Sequence, residues 1–239
     1  NYKNFIVYMI YLSTLLTLNS CTTILILNTH QEKLNPIKEI PDSTFLSIIE
    51  PYKLGIDSIM NEVLCYSRSE MLKKKPESEL GNFVTDLCLE RFSDKADICV
   101  MNYGGLRSAL PKGKITIGDI YTLMPFENEL VIVELNTSEN IELIEYIVSR
   151  GGEPFSGIEI IINKQGEIQY QKKGFGSFDE NKIRVLTSDY LANGGDDMKF
   201  FKDKKQKKVG LKVRDAILEH CLAKDTISPY LDERIKYEK

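Results

Sequence analysis

The chain has 239 residues, of which 42% are hydrophobic and 28% are charged, and its formal net charge at pH 7 is −4. These values are ordinary for a folded protein, and the length allows one or two domains. A mildly acidic protein is poorly suited to hold polyanions, so nucleic acid is excluded as an expected partner.

The N-terminal residues have the pattern of an export signal. A single charge, Lys3, precedes an apolar run from Phe5 to Leu18, which is too short to span a bilayer comfortably. The run stops just before Cys21, and polar sequence follows. The pattern resembles a bacterial lipoprotein signal with Cys21 as the lipidated residue, and the alternatives are a buried helix or a simple anchor. We therefore predict a membrane-anchored lipoprotein of the bacterial cell envelope, with a signal peptide at residues 1–20 and a tether at residues 21–42.

Residues 43–239 are predicted to form one domain of mixed secondary structure. Apolar residues recur at helical spacing from Phe45 to Leu64, with Pro51 as the point of a kink or split. Further helices are predicted at Phe83–Phe92, Ile115–Leu123, after a Ser138 cap and at Gly210–Leu222. Strands are predicted at Ala96–Met101, Leu130–Leu135, Ile158–Ile162, Ile168–Tyr170 and Ile183–Leu186. The irregular alternation and a hairpin signal at residues 164–166 favour an α+β fold, in which helices pack on a mixed β-sheet.

Four cysteines remain besides the one in the export signal: Cys65, Cys88, Cys99 and Cys221. Their spacing matches no metal-binding pattern. Cys88 and Cys99 fall in apolar runs, as small core residues do. An exported protein can form disulfides, but the spacing indicates neither their presence nor their pairing, so both states stay open.

The stretch after the last predicted strand is the most informative in the chain. It brings Tyr190, Asn193, Gly194, Gly195 and Asp196 together within seven residues. The glycines let the backbone approach a ligand closely, and the aromatic ring offers a face for stacking. The carboxylate can accept hydrogen bonds from a vicinal diol. This set of groups fits a ribonucleoside site.

Two other segments carry residues suited to a ligand. Asn102 and Arg107 flank a glycine pair directly after a predicted strand, and Phe126 follows a proline at the end of a short helix. Taken singly, each is ordinary: a glycine pair is usually a turn, Phe126 a core residue, and Arg107 a surface ion pair. Together with the first stretch, they supply what is needed to clamp a base, a ribose and a phosphate.

Three segments, PESELGNFVTD, NYGGLRSALPKGKITIGDIYTLMPFENELV and YLANGGDDM, resemble the C-terminal, substrate-binding domain of the 5'-nucleotidase family. That family includes UDP-sugar hydrolases and 2',3'-cyclic phosphodiesterases, and the order and spacing agree over about residues 43–220. The resemblance implies that Phe126 and Tyr190 sandwich the base and that Asp196 binds the ribose. It also implies that Asn102 and Arg107 contact the substrate.

The lysine triplet before LGN departs from the family pattern. Many members have an arginine there that meets phosphate, and the matching position is near Lys74, between Lys73 and Lys75. Lysine keeps the charge but lacks the bidentate fork, so the resemblance supports base binding more firmly than phosphate binding. A solvated loop is the alternative for this triplet, and we favour a solvated loop for the basic run at residues 202–208.

Members of the family cleave with an N-terminal metallophosphatase domain that holds two metals. The histidines of this chain, His30 and His220, lie outside any metal-type cluster, and we expect both to be solvated. We therefore predict no cofactor in this chain, divalent metals on a separate metallophosphatase subunit, and no hydrolysis by the chain alone. The first hypothesis is a nucleotide-binding component of a 5'-nucleotidase-type hydrolase in nucleotide catabolism. The alternatives are a non-enzymatic nucleoside- or nucleotide-binding lipoprotein for scavenging, and a structural lipoprotein with a relict site.

Overall fold

The computed structural model describes Tyr2, residues 42–173, Asp179 and residues 181–238. Apart from Tyr2, the predicted signal peptide lies outside the described residues, as do Cys21, His30 and the tether up to residue 41. The chain divides into a unit of residues 1–43, almost all of it undescribed, and a unit of residues 44–239. None of the described helices has both the length and the apolar character that a membrane span needs.

Six α-helices lie within the described part of the chain. They are α1 (Ser43–Met60), α2 (Glu79–Arg91), α3 (Ile117–Leu123), α4 (Thr137–Ser149), α5 (Asp189–Ala192) and α6 (Val213–Leu222). Polar side chains cap the N-termini of α2, α3, α4 and α5, and at α3 Thr116 and Asp119 form a reciprocal capping box. Asn136 and Glu139 form the same box at α4, so the predicted Ser138 cap is wrong by two residues. The Ser138 hydroxyl instead donates to Asn136.

Eleven strands form three sheets in the same residues. The strands are β1 (Val63–Ser67), β2 (Ile98–Val100), β3 (Gly113–Thr116), β4 (Glu129–Leu135), β5 (Phe155–Ser156), β6 (Ile158–Ile162), β7 (Ile168–Lys172), β8 (Ile183–Ser188), β9 (Gln206–Lys212), β10 (Thr226–Ile227) and β11 (Ile235–Tyr237). The central sheet has the order β5-β2-β8-β4-β9, and the smaller sheets are β10-β1-β3 and β11-β6-β7. Each sheet contains both parallel and antiparallel pairs, which confirms the predicted α+β fold with mixed sheets.

Three boundaries differ from the prediction. The first helix ends at Met60, and Leu64 belongs to β1; Pro51 lies inside the helix without splitting it. Ile115 belongs to β3, and Gly210 belongs to β9 rather than to the last helix. In each case a short strand abuts a helix, and a few apolar residues do not distinguish the two periods.

The basic run at residues 202–208 is also only partly a loop, because Gln206–Lys208 begin β9. β9 is an edge strand of the central sheet, and exposed lysines are common on such edges because they discourage pairing with another chain.

The central sheet separates two hydrophobic clusters. Alternate residues of β4 face opposite sides: Ile132 belongs to one cluster, and Val131 and Val133 belong to the other. Helices α2, α3 and α6 cover the first side. Helix α4 and the β6–β7 hairpin cover the second side. The sheet is therefore buried on both faces, and its edges and strand ends remain for a ligand.

Candidate functional site

The three segments singled out in the sequence meet at one edge of the central sheet. β2 and β8 are parallel neighbours, so the chain leaves both strands at the same edge. β4 runs antiparallel to β8, with Leu130 opposite Ser188, so β4 begins at that edge. The segments that follow β2, precede β4 and follow β8 are thereby brought together.

These segments line a cavity of about 270 Å³. Its walls are Asn102, Gly104, Gly105, Arg107, Phe126, Asn128, Tyr190 and Asp196. The two aromatic rings are partly exposed, at 39% for Phe126 and 45% for Tyr190. Exposed rings on the walls of one cavity are available for stacking against a planar ligand. The sequence singled out five of these residues; Asn128 and the glycines lie in the same motifs.

Asp196 is fixed by hydroxyls and an amide from three parts of the chain. Its carboxylate accepts hydrogen bonds from Asn102 Nδ2 at 2.6 Å and Tyr190 Oη at 2.8 Å. Its backbone carbonyl accepts one from Tyr146 Oη on α4 at 2.7 Å. The hydrogen bond to Asp196 raises the pKa of the Tyr190 hydroxyl. The carboxylate therefore has a defined position, and nothing in the local sequence pointed to Tyr146.

The backbone at this carboxylate is strained. Asp196 has a φ of 52° and Asp197 a φ of 63°, both in the left-handed region. Such a conformation costs about 1–3 kcal/mol in a non-glycine residue and persists only where the surroundings impose it. The Tyr146 hydroxyl is one of the contacts that impose it.

The predicted glycines shape the loops around the site. A Cβ atom on Gly195 would lie 2.6 Å from the Tyr190 ring, and one on Gly105 would lie 2.5 Å from Asn102 Oδ1. Gly194 has a φ of 87°, which favours glycine. Asn193 is placed outside the cavity: it ends α5, and its Oδ1 accepts a hydrogen bond from Gln206 Nε2 at 2.9 Å.

Arg214 on α6 holds the loop that carries Phe126. Its buried guanidinium donates to the carbonyls of Met124 at 3.4 Å and Phe126 at 3.5 Å, and it pairs with the Glu127 carboxylate. The hydrogen bond from Lys212 and then that from Arg214 lower the pKa of Glu127 to about 2. The Glu127 carboxylate that pairs with Arg214 therefore stays charged above the strongly acidic range.

The basic residues divide between two places. Lys73 Nζ lies 4.1 Å from the Tyr103 ring centroid and donates to the carbonyl of Leu106 at 2.9 Å. Burial, and then the nearby charge of Arg107, lowers the pKa of Lys73. Lys74 instead lines a second, small cavity beside Tyr103. Neither lysine lines the cavity at Asp196, and Lys73 is the one whose pKa is lowered by the charge of Arg107.

Arg107, unlike these lysines, lines the cavity itself. Its guanidinium lies 5.7 Å from the Phe126 ring centroid and donates to the Gly104 carbonyl at 3.3 Å.

Among the described residues, no three His, Cys, Asp or Glu side chains are grouped so that they could hold a metal ion. His220 is only partly solvated, because its ring packs edge-on against Phe83 with 5.6 Å between centroids. Burial lowers the pKa of His220.

The fold and the cavity together define an α+β domain with a candidate site at one edge of a mixed sheet. The family described as "5'-nucleotidase, C-terminal domain" matches residues 61–203. This chain belongs to the 5'-nucleotidase family through that domain, which confirms the resemblance drawn from the three sequence segments.

Curated relatives and a solved structure agree with this assignment. An apyrase from Tabanus yao is 24% identical over 74% of this chain and 38% of its own length. The trifunctional nucleotide phosphoesterase protein YfkN from Bacillus subtilis (strain 168) is 28% identical over 79% of this chain and 15% of its own. The fold matches the 5'-nucleotidase precursor from Thermus thermophilus with a TM-score of 0.69 and 22% identity, over 83% of this chain and 44% of that one. This chain thus spans less than half the length of these relatives.

Proposed function

We propose that this domain binds a nucleotide through its nucleoside part and positions it for a metallophosphatase subunit on a separate chain. That subunit would hold the divalent metals and hydrolyse the phosphate bond, as part of nucleotide catabolism. The observation that carries the proposal is the convergence of Phe126, Tyr190, Asp196 and Arg107 on one cavity.

The aromatic walls and Asp196 suit a nucleoside. Base–aromatic stacking contributes roughly 1–3 kcal/mol per base and tolerates different bases. Each carboxylate oxygen of Asp196 already accepts one hydrogen bond, and a carboxylate has about four acceptor sites, which leaves one on each oxygen for a vicinal diol. Asn128 lines the same cavity, and its amide offers the donor and acceptor that a base edge needs.

Arg107 and Lys73 suit the phosphate. Burial, and then the charge of Arg107, lowers the pKa of Lys73, so the two cations repel each other when the site is empty. A bound phosphate dianion would offset this repulsion and would also pair with the Arg107 fork. Position 74 was the sequence-based candidate for this role, and the variants of Lys73 and Lys74 described below separate the two.

Cleavage needs a metal-activated water, and two-metal sites also grip the phosphoryl oxygens. The residues proposed here bind and orient the substrate, and the metals belong to the partner in this proposal. Anchoring both chains by lipid in the same bacterial cell envelope, here through Cys21, would raise their effective concentration without a covalent linker.

The first test is calorimetry with adenosine, AMP and adenine on the purified chain. We expect adenosine to bind, AMP to bind more tightly, and Phe126→Ala or Tyr190→Ala to weaken both by roughly 5- to 150-fold. Tyr237→Ala removes an exposed ring on β11, outside the cavity, and should change neither affinity. Unchanged binding by both site variants would refute the nucleoside site.

The second test is phosphate release from AMP. The chain alone should release none, and adding a metallophosphatase chain with divalent metal should restore release in the wild type more than in Phe126→Ala. Metal-dependent hydrolysis by the purified chain alone would contradict the need for a partner. Nucleoside binding with no effect on any metallophosphatase of the same envelope would favour the scavenging lipoprotein.

A further inference from the structure

The first helix of the domain carries apolar side chains that the described residues leave uncovered. None of the residues of α1 is buried. Eight of its apolar side chains are at least 47% exposed, among them Phe45 at 67% and Tyr52 at 73%. A helix of 18 residues without a buried face is marginal in water, because most helical stability in proteins comes from the packing of an apolar face. The helix therefore needs a second surface to pack against.

The apolar residues of α1 have the spacing of a coiled-coil seam. Five exposed residues recur at alternating intervals of four and three and so occupy the a and d positions of a heptad: Phe45, Ile49, Tyr52, Ile56 and Ile59. Residues repeating every 3.5 positions face another helix, and isoleucine at both a positions favours a pair of helices. The charged residues of α1, Glu50, Lys53 and Asp57, lie off this seam. The spacing therefore indicates a helix as the occupant.

The rest of the described domain does not use the seam. The C-terminal end of α1 is joined to α3, because the Ile117 amide donates to the Glu62 carbonyl at 3.0 Å. Asp57 and Met60 line a cleft between α1 and α3, and none of the five seam residues lines it. The seam also lies outside the cavity at Asp196. Association through the seam is therefore separate from ligand binding.

We propose that the seam binds the same seam of a second copy of this chain, so that two α1 helices pair in a symmetric dimer. A two-fold axis lets each copy supply the same apolar residues to the other. Aromatic side chains bury about 150–250 Å² each, so the exposed seam presents on the order of 500–600 Å² per copy. Two such surfaces together bury roughly 1,000–1,200 Å², at the lower end of the range for specific interfaces. The dimer should therefore form with a Kd in the micromolar range.

A lipid surface fits α1 less well than a second copy does. Helices that lie on a bilayer carry lysine and arginine on the polar face, where these residues meet anionic headgroups. In α1 the two acidic residues, Glu50 and Asp57, outnumber the single basic residue, Lys53. Leu54 also places an apolar side chain, 63% exposed, on the side of the helix opposite the seam. The charge and the spacing together favour a helix pair.

The test is sedimentation equilibrium of the full chain without nucleotide or lipid. We expect a monomer–dimer equilibrium with a Kd of roughly 1–100 µM. Ile49→Lys with Ile56→Lys places like charges in the seam and should raise the Kd by about 10-fold or more. Ser47→Lys with Leu54→Lys is the matched control, because it adds the same charge at the same spacing on the opposite side of α1, and it should leave the Kd unchanged. All four positions are exposed, so the cooperative melting of the domain should persist in both double variants.

A cross-linking measurement checks the seam without adding charge. Tyr52 lies at the middle of the seam, so it meets its own copy whether the two helices run parallel or antiparallel with full overlap. A short bismaleimide should therefore link Tyr52→Cys into dimers well above the wild-type background, and Leu54→Cys should stay at that background.

Three results would overturn the proposal. A wild type that stays monomeric up to about 200 µM, with no excess cross-linking of Tyr52→Cys, would leave α1 to a different protein chain. Equal dimerisation of both double variants would place the contact elsewhere, for example in the apolar run of residues 5–18. Flotation of a monomeric wild type with phosphatidylcholine vesicles, lost only in Ile49→Lys with Ile56→Lys, would assign the seam to lipid.

Discussion

The two ends of the cavity differ in how firmly their polar groups are held. At the end proposed to hold the nucleoside, Asp196 receives hydrogen bonds from Asn102, Tyr190 and Tyr146, all between 2.6 and 2.8 Å. At the end proposed to hold the phosphate, Arg107 has one long hydrogen bond, to the Gly104 carbonyl at 3.3 Å. A group already fixed in its binding geometry loses little entropy when the ligand arrives. The carboxylate end of the cavity is thus fixed before any ligand binds, whereas the Arg107 guanidinium can still change its orientation.

The largest effect at the prebuilt end is expected for Asp196→Ala. The change removes the proposed acceptor of the ribose diol, and hydrogen bonds to a charged group each contribute about 1.5–3 kcal/mol. Calorimetry should show a loss of roughly 10- to 150-fold for adenosine and little change for adenine, which has no ribose. Asp197→Ala is the matched control, because Asp197 shares the left-handed backbone and is exposed. Equal losses for adenine and adenosine would show that Asp196 shapes the cavity rather than binding the sugar.

Arg214→Lys tests the support of the aromatic wall. Lysine keeps the charge beside Glu127 but lacks the fork that reaches the carbonyls of Met124 and Phe126. Adenine and adenosine should both bind roughly 5- to 20-fold more weakly, because part of the stacking energy is lost. Lys212→Met removes the other cation at Glu127 without touching those carbonyls, so it should change binding little. A loss confined to adenosine would place the effect of Arg214 at the ribose instead.

Tyr146→Phe removes one hydroxyl and keeps the ring that packs against Phe200. A neutral hydrogen bond contributes about 0.5–1.5 kcal/mol, so adenosine should bind roughly 2- to 10-fold more weakly and adenine unchanged. Tyr66→Phe on β1 is the control, since its exposed ring lies outside the cavity. Unchanged adenosine binding would mean that the strained backbone at Asp196 holds without Tyr146.

The sequence predicted the residues that line the cavity and missed the residues that hold them in place. Phe126, Tyr190 and Asp196 lie in short motifs whose residue types suggest their chemistry, and the antiparallel pairing of β4 with β8 brings these motifs together. Tyr146 and Arg214 act from helices far along the chain, and their roles depend on packing that no local pattern encodes. Strand β9 was missed for a related reason. Its exposed lysines are typical of a loop, and only pairing with β4 makes this segment the edge strand of the sheet.

The smallest effect is expected at the open end, where Lys73→Ala should reduce the preference for AMP over adenosine by roughly 2- to 5-fold, as for a partly screened ion pair. Lys74→Ala is the matched control, because Lys74 lines a different cavity. If Lys74→Ala reduced the preference for AMP more than Lys73→Ala does, the phosphate would contact Lys74, the residue that the sequence indicated.

The same contact should depend on pH with a definite sign. Burial and the charge of Arg107 lower the pKa of Lys73, so in the empty site it loses its proton at a lower pH than an ordinary lysine. A phosphate dianion favours the charged ammonium, so binding of AMP draws a proton onto Lys73 as the pH rises through that lowered pKa. The preference for AMP over adenosine should therefore decline in the alkaline range in the wild type. It should decline less in Lys73→Arg, since arginine stays charged there. Equal pH profiles for the wild type and Lys73→Arg would show that Lys73 does not contact the phosphate and would leave Arg107 as the cation of this end.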